Sequence, residues 1–179
     1  CYVCFEKCEV PADSIVGGQE GRGLKAALRG INHARLHVAA TCVGQAIRLI
    51  TEMTDYASQR EQFGKRIGEF GQIAAMLADS RAEMAAGRAL CLDCAKQFDA
   101  GDQIPFIDIA SAKLFCSEMV SRVADRAVQV MGGLGYMEDL SDVPRLFRDV
   151  RLFRIFEGAS QVQQGNIARS MMKDKRYKR

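Results

Sequence analysis

Eight residues spaced alternately by four and three constrain this chain more than any other feature: Ile73, Leu77, Ser80, Met84, Gly87, Cys91, Cys94 and Phe98. That spacing lines all eight along one face of a helix about seven turns long. A strand would send alternate residues to opposite sides and could not bury them together. A second pattern of the same kind runs from about Leu24 to Arg60, with Leu24, Leu28, Ile31, Val38, Cys42, Leu49 and Met53 on its apolar face. A third carries Ile109, Cys116, Val120, Val123, Ala127 and Val130. Lys113 interrupts that stripe and is expected to snorkel to the surface or find a carboxylate. Ser141-Asp142 reads as the N-cap of a short helix towards Phe153, with Pro144 in its first turn. A last helix is expected from about Ser160 to Met172.

Turns separate these patterns. Phe63-Gly64 breaks the first, Ala100-Gly101-Asp102 and Pro105 follow the second, and the glycines from Gly132 to Gly135 stop the third. The chain of 179 residues has three prolines and no tryptophan, a composition that favours helix and suffices for one sizeable core. Long apolar-striped helices joined by short turns predict an all-α, up-down helical bundle. At the start, Tyr2-Val3-Cys4-Phe5 alternates, and Glu6 to Pro11 leads into Gly17-Gly18. This reads as a strand and a turn without a partner strand, a short extended segment ahead of the bundle.

The net charge of +3 is small, and the basic cluster Lys173 to Arg179 reads as a solvated end rather than a nucleic-acid surface. No apolar run approaches the roughly 20 residues of a membrane span, so the chain reads as soluble. Two Cys-x-x-Cys pairs, Cys1/Cys4 and Cys91/Cys94, do not make a zinc site by themselves. The first pair lies on a strand, where residues three apart face opposite sides, and the second falls on the core stripe of a helix. Cysteines on that stripe act as small hydrophobes. His33 and His37 share a helix face but lack the glutamate of a zincin motif, position 34 being Ala. No metal site is expected.

The residues with most chemical promise lie near the C-terminus. Glu157 sits in Arg154-Ile-Phe-Glu-Gly-Ala-Ser-Gln161, about seven helical turns beyond Gln129-Val-Met-Gly-Gly-Leu-Gly-Tyr136. A carboxylate between apolar neighbours and a glycine can be held, poorly solvated, against a ligand, where it serves as a general base. Paired glycines at Gly132 and Gly133 let a backbone approach a cofactor that a side chain would obstruct.

Together these segments resemble the C-terminal domain of the acyl-CoA dehydrogenases, flavoenzymes that desaturate acyl-CoA thioesters. The motifs follow that family's order along nearly the whole chain. Tyr56-Ala-Ser-Gln-Arg-Glu-Gln-Phe-Gly64 is similar to its "Y-A-x-x-R-x-x-F-G", and Leu77-Ala-Asp79 to its "L-A-D". The resemblance implies that Arg60 and Phe63 meet FAD, Arg60 as a bidentate partner for pyrophosphate. It implies FAD contacts of Gln129, Gly132 and Gly133 to a neighbouring subunit, and of Ser160 and Gln161. Ile31-Asn-His-Ala-Arg35 is similar to "D-x-x-R", implying that Arg35, with Asn32, meets the CoA moiety. Some family members place the base immediately before that arginine. Here that residue is Ala34, so the role falls to Glu157.

On the resemblance, residues 1–20 are a remnant of the family's middle β-domain with its linker, residues 21–179 are the C-terminal helical domain, and the chain is the C-terminal part of a longer enzyme. The implied reaction is FAD-dependent α,β-dehydrogenation of an acyl-CoA, as in fatty-acid β-oxidation. Glu157 takes the α-proton, and hydride passes to flavin N5. Hydrogen bonds from the FAD ribityl hydroxyl and the Glu157 N–H polarise the thioester carbonyl. Implied partners are the acyl-CoA substrate, an electron-transferring flavoprotein and further copies of the chain in a homotetramer, a dimer of dimers. The implied location is the bacterial cytoplasm or the mitochondrial matrix. Two other readings keep the fold: an acyl-CoA oxidase using oxygen as acceptor, and a helical assembly module without catalysis. Ala159, Asn32, Gly71 and Pro144 depart from residues common in the family, Ala159 by removing a hydroxyl beside the base.

Overall fold

The computed structural model describes residues 2–100 and 106–174. Three long helices dominate: α1 (Gly23–Gln59), α2 (Gly71–Asp99) and α3 (Phe106–Met131). They run up, down and up, so that α1 and α3 are parallel and pack most extensively. A single turn of helix, α4 (Gly133–Tyr136), leads to α5 (Val143–Arg151) and α6 (Ser160–Lys173), both packed on α3. The expected all-α bundle is thus the fold.

The core sits where the predicted stripes meet. Val38, Cys42, Leu49 and Met53 of α1 face Cys116, Val120, Val123 and Ala127 of α3, with Met84, Cys91 and Cys94 of α2 completing the layer. Val143, Leu146 and Val150 of α5 close it from the far side. Gly87 lets α2 and α3 come close, since a Cβ there would lie 3.2 Å from both Cys116 Sγ and Met119 Cε. Cys42, Cys91, Cys94 and Cys116 are buried free thiols. Burial pushes the Cys42 thiol up to about 12 and Cys94 up to about 11, so both remain neutral apolar groups.

Several expectations need correction. Tyr2 to Phe5 is exposed and forms no strand, since no neighbouring strand pairs with it among the described residues. Leu24 and Leu28 are exposed, 74% and 52%. The end of α2 meets α1 at the His33–Phe98 ring contact, and the earlier turns of α1 overhang the bundle. Residues 61–66 form a two-stranded hairpin, Glu61–Gln62 against Lys65–Arg66, where only a helix stop was expected. Asp142 occupies the N-cap of α5 without a capping hydrogen bond and pairs instead with Arg145. Lys113 neither snorkels nor meets a carboxylate: it is wholly buried and donates to main-chain carbonyls. The turn residues 101–105, the tail beyond Asp174 and Cys1 lie outside the described residues. Among those described, no helix is long and apolar enough to cross a membrane and no group of three His, Cys, Asp or Glu could hold a metal.

Two partly buried carboxylates tie helices together. Glu83 accepts from Arg122 Nε at 3.0 Å and Arg126 Nη2 at 2.9 Å, linking α2 to α3. Glu118 accepts from Arg154 Nε at 3.0 Å and Ser160 Oγ at 2.6 Å, linking α3 to the turn before α6 and to the first residue of α6. Burial pushes both carboxyls up, but the arginines, and Ser160 for Glu118, more than offset it, so both lie below the ordinary 4.5. A carboxyl depressed in the fold contributes stability that is present above 4.5 and is lost as pH falls through its folded value. We therefore expect the thermal midpoint to fall below pH 4.5, and a Glu83→Gln/Glu118→Gln double variant to show a shallower acid loss. Parallel acid profiles for the two proteins would refute this linkage.

Candidate functional site

Glu157 lies between a 3-10 turn at Leu152–Arg154 and the start of α6. Its backbone is left-handed, φ 54°, and Gly158 follows at φ 91°. Two such residues in succession swing the chain out of the turn and into α6. Glycine adopts this conformation freely, whereas a glutamate does so only where its surroundings over-determine it.

The surroundings are three buried side chains from three helices. Arg35 of α1 donates from Nε to the Glu157 carbonyl at 3.1 Å and from Nη1 to Asn32 Oδ1 at 3.0 Å. Its guanidinium lies over the Phe106 ring, 5.2 Å from the centroid. Gln163 of α6 donates from Nε2 to the carbonyls of Glu157 at 3.1 Å and Gly158 at 3.2 Å. Lys113 of α3 donates from Nζ to the carbonyls of Phe153 at 2.7 Å and Gly158 at 2.8 Å. Burial pulls the pKa of Arg35 down, partly opposed by the negative charge of Glu157. The Glu157 carboxylate is half-buried and has no hydrogen-bond or ion-pair partner among the described residues. A fixed main chain therefore carries a free carboxylate.

The residues expected at a cofactor divide between places. Arg60, Phe63, Gly132 and Gly133 line one groove of about 430 Å³, with Tyr56, Phe70 and Ile73. Phe63 and Gly64 make the two-residue turn of the hairpin, with φ of 53° and 78°, the left-handed pair that such a turn needs. Phe63 is 94% exposed on that strained backbone, and the Arg60 guanidinium has no partner among the described residues, its bonds being main-chain ones to Tyr56 and Ile67. Nothing lies within 4 Å of a Cβ built on Gly132 or Gly133, so their backbone is bare. Gln129 is exposed on α3 and does not line the groove.

Ser160 and Gln161 begin α6 beside Glu157 instead. Ser160 is buried and spends its hydroxyl proton on Glu118, whereas Gln161 is exposed. Ala159 is the N-cap of α6 and offers no capping oxygen, where a threonine would. Asn32 and Arg35 sit with Glu157, near the start of α1, and the groove is at its far end. From Arg35 to Arg60 the helix advances about 37 Å. Sequence reasoning missed Lys113 and Gln163 as members of the Glu157 cluster, and the carbonyl contact of Arg35. The break Lys113 makes in its stripe was the one available signal.

Residues 21–172 match the family described as acyl-CoA dehydrogenase, C-terminal domain. The chain is 36% identical over 173 residues to the very long-chain specific acyl-CoA dehydrogenase, mitochondrial, of Mus musculus, covering 97% of this chain and 26% of that one. It is 34% identical over 171 residues to the caffeyl-CoA reductase-Etf complex subunit CarC of Acetobacterium woodii, covering 96% and 44%. Among solved structures, butyryl-CoA dehydrogenase from Megasphaera elsdenii superposes with a TM-score of 0.82 at 34% identity, covering 87% of this chain and 40% of that one. The chain thus spans less than half the length of each of these proteins. It belongs to the acyl-CoA dehydrogenase family, with residues 21–172 as the C-terminal helical domain.

Proposed function

We propose that this chain is the C-terminal part of an FAD-dependent enzyme that removes the α- and β-hydrogens of an acyl-CoA thioester, with Glu157 as the α-proton base. Residues 1–20 belong in this reading to the end of a preceding β-domain. The observation that carries it is the free Glu157 carboxylate on a main chain locked by Arg35, Gln163 and Lys113. Such preorganisation is what proton abstraction from a weak carbon acid requires. The Glu157 N–H makes no hydrogen bond among the described residues, which leaves it free to polarise a thioester carbonyl. The carboxylate accepts the α-proton, and the β-hydrogen leaves with its electron pair as the double bond forms. Bound flavin supplies the two-electron acceptor for that hydrogen.

The groove fits a flavin nucleotide chemically. Arg60 offers an unpaired guanidinium for pyrophosphate, Phe63 an exposed ring face, and Gly132 and Gly133 a bare backbone. Gln129 lies just outside it, and Ser160 and Gln161 belong to the base's end. Along α1, Arg60 of the groove lies roughly 37 Å from Arg35, which holds the base, too far for one chain's halves to share one flavin ring. The groove of one copy accordingly completes the site of another, so the working enzyme is a homo-oligomer. Arg35 and Asn32 flank the base, where the CoA moiety would enter. An electron-transferring flavoprotein is the proposed acceptor.

The test is anaerobic titration of the full-length, flavin-loaded enzyme with acyl-CoAs of different chain lengths. At least one is expected to bleach the oxidised flavin band. Reoxidation by an electron-transferring flavoprotein rather than oxygen would separate dehydrogenase from oxidase. A full-length protein that bound no flavin, or that no acyl-CoA reduced, would overturn the proposal.

A further inference from the structure

Lys113 is the largest wholly buried side chain of the described fold, and it lies in the middle of the α3 core stripe between Ile109 and Cys116. Such a position ordinarily holds a hydrophobe, because an ammonium loses its water there. No carboxylate pairs with it. Its two acceptors are the main-chain carbonyls of Phe153 and Gly158, at 2.7 and 2.8 Å. These carbonyls bracket Glu157, one before it in the chain and one immediately after. One side-chain nitrogen therefore pins both ends of the segment that bears the carboxylate.

We infer that Lys113 is a positioning residue for the α-proton base, holding the Phe153–Gly158 segment closed so that Glu157 keeps its left-handed backbone and its aim. This rests on the reading of Glu157 as that base. Arg35 and Gln163 fix the Glu157 carbonyl, and Gln163 shares the Gly158 carbonyl with Lys113, but neither reaches Phe153 at the other end of the segment. Without Lys113 the Phe153 carbonyl has no side-chain donor among the described residues, and the turn before Glu157 can open. Burial pulls the ammonium pKa below its ordinary 10.5. The neutral amine would still carry two N–H groups, enough for both carbonyls. The bracket is therefore a matter of geometry and does not depend on the charge.

The experiment uses the full-length, flavin-loaded enzyme in D2O with a 3-thiaacyl-CoA, in which sulfur replaces the β-carbon. Without β-hydrogens, α-hydrogen exchange followed by mass spectrometry reads the base alone. Lys113→Met is expected to slow exchange about 100-fold, the scale of a misplacement near 1 Å. KM for the acyl-CoA and flavin content should stay close to wild type. Lys113→Gln keeps amide donors on a shorter stem and should fall between, and it carries the test alone if the Met variant does not fold. Wild-type exchange in either folded variant, or a loss that merely tracks lost flavin, would overturn the inference. Glu157→Gln run in parallel separates the two readings. If it exchanges normally, Glu157 is not the base and both fall. If it is inert while the Lys113 variants exchange normally, only the positioning role falls.

Discussion

Glu157→Gln is expected to slow acyl-CoA reduction of the flavin by at least about 100-fold and up to about 10,000-fold, the range a positioned general base contributes. The substitution is nearly isosteric and leaves the main chain alone. The contacts that fix this residue reach its carbonyl, from Arg35 Nε and Gln163 Nε2, so they persist in the variant. Acyl-CoA affinity, flavin content and thermal midpoint should therefore change little. Rapid-mixing absorbance at the oxidised flavin band separates binding from chemistry. A variant reduced as fast as wild type would remove Glu157 from the reaction. A loss confined to KM would make it a binding residue.

Gly158→Ala is expected to lower stability by about 3 kcal/mol and to impair the same step without touching the carboxylate. Alanine at φ 91° stores strain of about 1–3 kcal/mol. Its Cβ would also lie 2.3 Å from Gln163 Nε2 and 3.4 Å from Arg35 Nη2. Gln163 is wholly buried, so it cannot move without giving up carbonyl bonds, each costing about 1–3 kcal/mol when left unmade. Relaxation will recover part of that sum. Gly44→Ala in α1 is the control: its Cβ meets nothing within 4 Å, and a helix-interior Gly→Ala change gains about 0.5–1 kcal/mol. Chemical denaturation of both variants decides the matter, and equal midpoints would mean that the Gly158 turn relaxes freely.

The helices were legible in the sequence because burial repeats with the helical period. Ser80, Met84, Gly87, Cys91 and Cys94 are buried on α2, and every stripe residue named for α3 is buried. Leu24 and Leu28 show where that logic stops, since periodicity identifies an apolar face but not what covers it. The hairpin at 61–66 has strands of two residues, too short to show any period. At the site, Glu157 stood out by its neighbours and by resemblance, but its left-handed backbone did not. That conformation is imposed by Lys113, 40 and 45 residues from its acceptors, and by Arg35, 122 residues from its own. Lys113 was visible only as an interruption. A side chain bonded to main-chain carbonyls leaves no mark at the accepting positions, because every residue has a carbonyl.

α1 carries Arg35 in its first half and, as a single unbroken helix of 37 residues, runs to Arg60 at its C-cap. Their separation is counted in helical residues, so it can change only in whole steps. One residue inserted or deleted between them would turn one end against the other by about 100° and slide it by about 1.5 Å. The face that meets α3 would be lost over half its length. Side chains along this stretch are free to vary wherever they face solvent, whereas the number of residues between the two arginines is not. The helix acts as a ruler, graduated in residues rather than in ångströms.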